Sequence, residues 1–321
     1  DRFIVVDHYP TGREVQQVVS STTDGGGPVA TALAVAGKYG ARTVMIDSIG
    51  DDMVGRHILD DFEKYNVNTD AIQVERGANS GVATILVKHS TGERAVFFER
   101  STAVEPAFLD SHKQLIDNSF ILHINGRHRT LMRTAMDVAK EVGTIISLDG
   151  GAQRYDEDMK PITEDSHIVI VARDYAEKYT GTTNLEEACR IIHDRGSLIA
   201  GVTDGANGSY FVWPDGTAYR CKPFPQDSVV DTTGAGDSFH GAFLAKLSNI
   251  LHSESATVSS TNAVQGDTSL CAVELLKGCA HSDLEKAAIF ASAVAALNTQ
   301  GIGGRSPLPS LEQVHKLMEL E

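Results

Sequence analysis

The order of hydrophobic and polar positions divides the chain into two patterns. From about residue 119, short continuous apolar runs alternate with stretches whose apolar residues recur at helical spacing. The apolar runs predict β-strands, and the periodic stretches, such as the one with Leu131, Ala135, Val138 and Val142 on one face, predict helices. The predicted strands cover 120–124, 144–148, 168–171 and 198–202, and the predicted helices cover 131–142, 174–180 and 185–194. Apolar strands that alternate with helices are typical of a parallel sheet covered on both faces.

The N-terminal third has a different pattern, in which alternating segments surround two helices. An exposed strand is predicted at 14–20, and a hairpin at 81–87 and 94–99. A helix of small residues at 28–39 ends before Gly40, and a second helix at 54–65 follows a Gly-Asp-Asp turn. We therefore expect one α/β domain, 1–321, with a small β-sheet lid formed by about 8–22 and 72–100.

The C-terminal third is predicted to be helical, at 235–247, 284–299 and 310–319. Between these helices, residues 252–270 are rich in Ser, Thr and Asn without periodicity, which predicts an insertion loop at about 249–282. The chain begins at Asp1 without Met and continues directly into the apolar run Phe3-Ile4-Val5-Val6. We expect the natural protein to begin earlier, with part of a strand preceding Asp1.

Composition narrows the class of protein. With 41% hydrophobic and 22% charged residues among 321, the chain can bury a core and is not globally disordered. A net charge of −15 argues against nucleic acid or an anionic membrane as the main partner. The four cysteines form no CxxC pair, so we expect a reducing cytoplasm. No apolar run approaches the ~20 residues that a membrane-spanning helix needs.

The segment 229–243 carries the most informative chemistry. A β-like run is followed by Gly234, Ala235 and Gly236, which open a helix with Asp237 in its first turn. Backbone N–H groups at a helix start bind anions, including a charge that develops in a transition state. A carboxylate there can accept the proton of an attacking hydroxyl, although Asp237 can equally serve only to cap the helix.

Two further glycine clusters are weaker markers. Residues 203–208, Thr-Asp-Gly-Ala-Asn-Gly, lie between two predicted strands, where they form either a nucleotide-binding turn or an ordinary hairpin. Residues 24–30 match the dinucleotide fingerprint GxGxxA, but the preceding segment 20–24 is polar and does not read as a buried strand. No Walker A sequence is present. A nicotinamide-dependent or P-loop protein is therefore disfavoured.

Together these segments resemble the PfkB/ribokinase family of sugar and nucleoside kinases. The run Asp231-Thr232-Thr233-Gly234-Ala235-Gly236-Asp237 is similar to its C-terminal signature, and 25–27 through 50–55 to its N-terminal one. The resemblance implies a ribokinase-like, Rossmann-type three-layer α/β/α body with a small β-sheet lid. It also implies transfer of the γ-phosphoryl group of ATP with Mg²⁺, and a homodimer formed through the lid.

The resemblance assigns roles residue by residue. It implies Asp237 as the catalytic base and Gly234, Ala235 and Gly236 as the anion hole. On the ATP side it implies Thr203, Gly205 and Gly208, with Asn298 and the loop 301–304 beside the adenine. In several members a monovalent cation, K⁺, lies behind the anion hole, and the matching residues are Asp231 and Thr233. Asp1 aligns with an aspartate that binds substrate hydroxyls.

Two departures from the family pattern affect the substrate and the metal. Where the family has Gly-Gly-Asn-x-x-Asn, this chain has Gly26-Gly27-Pro28-Val29-Ala30-Thr31, so an amide that contacts the acceptor is replaced. The Asn-x-x-Glu motif near Mg²⁺ has no match at 172–175, which leaves waters and Asp204 as candidates.

Both departures resemble the subgroup that contains bacterial sulfofructose kinases. That similarity adds Gly26, Gly27 and Thr31 to the substrate-binding candidates, together with Arg127 after the strand 120–124. The guanidinium of Arg127 can pair with a sulfonate, phosphate or carboxylate, or be a solvated loop charge. The leading hypothesis is an ATP-dependent kinase acting on a primary hydroxyl of a ketose, sugar acid or sulfosugar. The alternatives are an adenosine-type nucleoside kinase, or a weakly catalytic sensor that binds sugar and ATP.

Overall fold

The computed structural model describes residues 1–91, 93–262 and 270–319, in strands and helices numbered here along the chain. The strands are β1 (Arg2–Val6), β2 (Ser20–Thr23), β3 (Thr43–Val44), β4 (Asp47–Gly50), β5 (Val67–Asn68), β6 (Ile72–Glu75), β7 (Val82–Lys88), β8 (Arg94–Glu99), β9 (Ile121–Ile124), β10 (Ile145–Gly150), β11 (Ile168–Ala172), β12 (Ile199–Thr203), β13 (Ser209–Val212) and β14 (Ala218–Cys221). The helices are α1 (Pro28–Lys38), α2 (Met53–Lys64), α3 (Asp110–Asp117), α4 (Arg129–Val142), α5 (Lys160–Glu164), α6 (Arg173–Thr180), α7 (Leu185–Asp194), α8 (Ala235–Asn262), α9 (Ala272–Gly278), α10 (His281–Asn298) and α11 (Leu311–Glu319).

The main sheet has the order β14-β13-β12-β11-β10-β9. Strands β9 to β12 are parallel, while β13 and β14 continue the sheet as antiparallel strands. The four parallel strands are the four predicted from apolar runs. Because these strands are parallel, their carboxyl ends meet at one edge of the sheet, where ligands bind in folds of this type.

Helices cover both faces of the main sheet, as a continuously apolar strand requires. Ile168 and Ile170 of β11 pack with α1, α8 and α10 on one face. The alternate residues Val169 and Val171 pack with α4, α6 and α7 on the other. The predicted three-layer α/β/α architecture is confirmed.

A second sheet, with the order β2-β1-β7-β8, forms the lid sheet. Strands β1 and β7 are parallel, and β2 and β8 are antiparallel to their neighbours. The core of the lid sheet is small and contacts Ile302 in the loop after α10. The lid therefore packs directly against the C-terminal loop of the body.

The structure corrects three predictions in and near the lid and the signature segment. The predicted strand 14–20 is wrong, because residues 14–18 are irregular and pairing with the five-residue β1 begins only at Ser20. Segment 72–75 does not join the lid sheet, since β6 pairs with β4. The β-like run before Gly234 is not a strand, and Val229 and Val230 are exposed there.

The predicted insertion loop is largely helical. Helix α8 continues to Asn262, and α9 occupies 272–278. Residues 263–269 of the predicted loop lie outside the described residues. Within this polar part of α8, Thr257 Oγ1 donates to the carbonyl oxygen of Ser253 at 3.0 Å, so this hydroxyl has an acceptor within the helix.

Across the residues that the structure describes, no helix is both long enough and apolar enough to cross a membrane.

Candidate active site

The start of α8 places the anion-hole candidates and Asp237 in one helical turn. Gly234 precedes the helix with φ +72°, and a Cβ there would lie 2.6 Å from Gly304 Cα, so only glycine fits. The first N–H groups of a helix have no partner within it. Of the three candidates, Ala235 N has an internal acceptor, the carbonyl oxygen of Thr232 at 3.3 Å. The predicted location of these residues at a helix start is confirmed.

Asp237 is partly buried and has an unusual electrostatic environment. Burial, followed by the nearby carboxylate of Asp149, raises its pKa to about 7, while Arg154 and Arg305 act in the opposite direction. A base with a pKa near neutrality is suited to taking a proton from a hydroxyl. This position favours a catalytic role for Asp237 over a purely capping one.

Asp149 and Arg154 were missed by the sequence analysis. Asp149 lies in β10 near its carboxyl end, and burial raises its pKa too. Its Oδ1 lies 3.5 Å from Nε2 of the buried His240 in α8, and its Oδ2 has no hydrogen-bond partner. The sequence offered one indication of a functional role for Asp149. It is a carboxylate near the end of a buried strand, five residues before an arginine.

The glycine turn at 25–27 lies against Asp1 and Arg305. A Cβ on Gly26 would lie 2.3 Å from Asp1 Oδ1, and one on Gly25 would lie 2.2 Å from Arg305 Nη1. The backbone nitrogen of Asp1 donates to the carbonyl oxygen of Asp24 at 2.9 Å. The turn requires glycines because the side chains of Asp1 and Arg305 approach its backbone closely. This packing, and not dinucleotide binding, accounts for the match to GxGxxA.

Arg305 holds this turn from beneath and is buried. Its Nη1 donates to Asp61 Oδ2 at 2.6 Å, and its Nη2 to the carbonyl oxygen of Gly26 at 2.8 Å. Its Nε donates to Thr31 Oγ1 at 3.2 Å. Thr31, predicted to bind substrate, is therefore buried beneath the turn, where it orients Arg305.

A groove of about 1860 Å³ passes the turn and the carboxyl edge of the main sheet. It brings together four of the predicted acceptor residues, Asp1, Gly26, Gly27 and Arg127, but its lining does not include Asp237. Arg100, Arg154 and Arg305 also line it. Arg100 had no motif to indicate it, since it directly follows an ordinary hairpin strand.

Arg127 is half-exposed at the mouth of the groove. Its Nη2 lies 3.2 Å from Asp47 Oδ1, and its Nε lies 3.0 Å from His128 Nε2. His128 Nε2 in turn lies 2.6 Å from Asp47 Oδ1. Arg127 is held in place by these contacts, but Asp47 neutralises part of its charge.

The predicted nucleotide turn, 203–208, connects β12 and β13. It follows the carboxyl end of β12 and so lies at the carboxyl edge of the main sheet. Gly205 and Gly208 both have positive φ, at +53° and +90°, and a Cβ on Gly208 would lie 2.3 Å from the carbonyl oxygen of Cys221. Thr203 precedes the turn and its hydroxyl is 3.4 Å from the carbonyl oxygen of Val171. Asp204, a candidate near Mg²⁺, instead pairs with Arg173, whose Nε lies 2.6 Å from Asp204 Oδ1.

Asn298 is fully buried at the end of α10. Its amide nitrogen lies 3.4 Å from the carbonyl oxygen of Gly304, and its Oδ1 has no hydrogen-bond partner. The side chain therefore lies against the loop 301–304, and its role beside the adenine stays a prediction.

Asp231 and Thr233, the candidate ligands of a monovalent cation, are already bonded to other groups. Asp231 Oδ1 accepts hydrogen bonds from Thr233 N at 2.9 Å and Thr233 Oγ1 at 2.7 Å, and Oδ2 from Gly303 N at 3.0 Å. Arg94 of the lid strand β8 adds a guanidinium, with Nη1 3.0 Å from Asp231 Oδ1. With Arg94 in this position, the carboxylate does not fit a K⁺ ion.

We next consider which side chains could bind the Mg²⁺ ion that the family resemblance implies. Within 1–91, 93–262 and 270–319, no cluster of three or more His, Cys, Asp or Glu residues is placed to hold a metal ion.

Comparison with known proteins identifies the class of enzyme that this site belongs to. Residues 3–311 match the pfkB family carbohydrate kinase. The chain belongs to that family and is an ATP-dependent carbohydrate kinase. It is 28% identical over 319 residues to the probable fructokinase-5 of Arabidopsis thaliana, covering 92% of this chain and 88% of the relative.

Solved structures confirm the ribokinase-like fold. Ribokinase from Giardia lamblia superposes with a TM-score of 0.79 at 18% identity, covering 98% of this chain and 96% of the other. Arabidopsis thaliana ribokinase complexed with ribose and ATP has a TM-score of 0.74 at 20% identity, covering 99% and 95%.

Proposed function

We propose that this carbohydrate kinase phosphorylates a primary hydroxyl of a small ketose or ketose derivative, with Asp237 as general base. The observation that carries the proposal is the carboxyl of Asp237 in the first turn of α8, beside the N–H groups of 234–236. Arg154 and Arg305 line the groove and also act electrostatically on Asp237, so a sugar bound in the groove would have its hydroxyl near this carboxylate.

The chemistry follows from that arrangement. Asp237, with a pKa raised to about 7, accepts the proton as the hydroxyl oxygen attacks the γ-phosphorus. The dipole of α8 and the backbone N–H groups of 234–236 stabilise the negative charge that develops on the transferred group. The nucleotide turn with Thr203, Gly205 and Gly208 receives the ATP phosphates on the same edge of the sheet. Asn298 contributes by supporting the loop beside the adenine.

Mg²⁺ enters this scheme as part of the nucleotide substrate. The described side chains offer no carboxylate cluster for it, and Asp204 is paired with Arg173. Phosphate oxygens and water are the ligands that Mg²⁺ commonly keeps in kinases. We therefore propose MgATP as the substrate form.

The groove supports a ketose that carries an anionic group. Arg100, Arg127 and Arg154 line it, and a guanidinium binds carboxylate, phosphate or sulfonate through two parallel hydrogen bonds. Because fructokinases are among the relatives, fructose is the uncharged sugar to compare with anionic ketoses in a substrate screen. The similarity to sulfofructose kinases at 26–31 suggests sulfofructose as the charged compound to test.

The test is a coupled ADP-release screen with fructose, ribose, sugar acids, sulfofructose and adenosine. Asp237→Asn is the matched blank, because it keeps the shape of the side chain but removes the base. We expect turnover with a ketose, and a fall in kcat of about 10²–10⁴-fold in the variant while ATP still binds. Turnover of adenosine alone would establish the nucleoside kinase instead. Binding of sugar and ATP without ADP release would establish the sensor.

We also propose that the chain forms one kinase domain that dimerises through the lid and works in the cytoplasm. The family match over 3–311 supports a single domain. Exposed apolar residues on β8 support the homodimer. The free thiols of Cys189, Cys271 and Cys279 support a reducing compartment.

A further inference from the structure

Arg94 connects the lid to the segment that leads into the anion hole. It begins β8 in the lid sheet, whereas Asp231, Thr232 and Thr233 directly precede Gly234. Its Nη1 lies 3.0 Å from Asp231 Oδ1 and also contacts Thr233 Oγ1, and its Nη2 donates to Thr232 Oγ1 at 3.0 Å. One guanidinium therefore contacts three consecutive side chains across 137 positions of sequence.

The carboxylate of Asp231 needs a positive charge. Its side chain is 0% exposed, while that of Arg94 is 34% exposed. A buried carboxylate is costly unless it is paired and hydrogen-bonded. The other donors to it, Thr233 N, Thr233 Oγ1 and Gly303 N, are all neutral. Among the described residues, Arg94 is the one cationic side chain within ion-pairing distance of Asp231.

We infer that Arg94 supplies the fixed positive charge behind the anion hole, so that this kinase does not need K⁺ as an activator. The guanidinium contacts Oδ1 of Asp231 and Gly303 N donates to Oδ2, so a monovalent cation at this carboxylate would have to displace one of these donors. Because Arg94 belongs to the lid sheet, this charge is in place only when the lid lies against the body. Arg94 is thus a positioning residue that ties the lid to the conformation of 231–236.

The inference predicts a new dependence on K⁺ when Arg94 is removed. In Arg94→Gln, Asp231 loses its positive partner and a monovalent cation can reach the carboxylate. The matched control is Arg13→Gln, which removes the same charge from an exposed position between β1 and β2. Arg94→Lys keeps the charge but loses the fork geometry, so an intermediate response is expected.

The first measurement is the thermal midpoint of each protein in equal concentrations of KCl and choline chloride. It needs neither sugar nor ATP, so it is independent of the proposed acceptor. Wild type and Arg13→Gln should give the same midpoint in both salts. Arg94→Gln should have a lower midpoint in choline chloride and regain part of it in KCl, because a ligand that binds the folded state stabilises it.

The second measurement is ADP release with the best sugar of the screen. Arg94→Gln in choline chloride should turn over about tenfold more slowly, within the range typical of coupling between sites, and KCl should recover part of the loss. If Arg94→Gln does not fold, Arg94→Lys carries the same comparison. A wild-type midpoint or rate that rises specifically with K⁺ would overturn the inference. So would Arg94 variants whose K⁺ response does not exceed that of Arg13→Gln.

Discussion

At the scale of single residues, the site depends on how neighbouring charges act on Asp237. Its pKa rises to about 7 because the carboxyl is buried and lies near Asp149, against the opposing effect of Arg154 and Arg305. The base form exists above that pKa and is lost as the pH falls through it. Activity should therefore be set by this carboxyl across the neutral range and not near pH 4.

This environment predicts how activity depends on pH. In wild type, kcat/KM should be flat at alkaline pH and fall about tenfold per unit below about pH 7. Asp149→Asn removes the neighbouring negative charge, so the pKa of Asp237 should fall and the midpoint of the profile should move to lower pH. The shift between the two proteins is the decisive measurement, because titration of ATP is common to both. An unchanged midpoint in Asp149→Asn would contradict this account.

At the scale of elements, the loops around the start of α8 are packed backbone against backbone. A Cβ on Gly234 would lie 2.6 Å from Gly304 Cα, and Val230 N donates to the carbonyl oxygen of Thr299 at 2.8 Å. The glycines of 234–236 therefore differ in what they tolerate. At Gly234 the φ is +72° and a neighbour lies in the way, whereas a Cβ on Gly236 would have nothing within 4 Å.

Matched alanine variants test this difference. Gly234→Ala should lower the free energy of unfolding by about 1–3 kcal/mol, since it combines a left-handed backbone with a steric clash. Gly236→Ala should leave that free energy close to the wild-type value. Denaturant titration of both proteins measures the effect. Equal losses in the two variants would mean that the contact with Gly304 does not constrain the loop.

The elements also show which features a sequence reveals. The parallel strands were predictable because burial on both faces makes them continuously apolar. The prediction of a strand at 14–20 was wrong because the short β1 limits where pairing ends. The prediction of a loop was wrong over 252–262 because a polar sequence without periodicity there continues a helix.

In the site, the glycine motifs form local patterns in the sequence. Their neighbouring residues were enough to predict that they lie at turns and at a helix start. The functions of Arg94 and Arg305 were not visible, because their partners lie 137 and 244 positions away. No local pattern records such a contact.

At the scale of the whole molecule, the lid has an apolar outer strand. Val96, Phe97 and Phe98 are 60%, 61% and 63% exposed on β8, which is an edge strand of its sheet. Exposed edges with large apolar residues pair with other chains unless they are covered. Phe97 lies on the opposite face of the strand from Val96 and Phe98, and Phe98 lines the groove, so we propose that the second copy covers Phe97.

The proposed dimer makes a mass measurement decisive. Light scattering should give wild type twice the mass of one chain, and Phe97→Asp should shift it towards one, because a charge would be buried in the interface. Leu311→Asp, at an exposed apolar position of α11 away from the lid, should keep the mass of the wild type. A wild-type mass equal to one chain would exclude the dimer.

The hydrogen bonds that Arg305 makes to the glycine turn and to Asp61 have a consequence for biosynthesis. Its backbone N–H donates to Asp24 and its guanidinium to Asp61 and Gly26, so nearly the first and nearly the last described segments share one buried junction. During translation, the glycine turn 25–27 is made early, but the Arg305 side chain that supports it is added only near the end of synthesis. A nascent chain that ends before Arg305 would hold all six strands of the main sheet but would lack the support of the glycine turn. Competence to bind substrate would thus arise only at the end of synthesis.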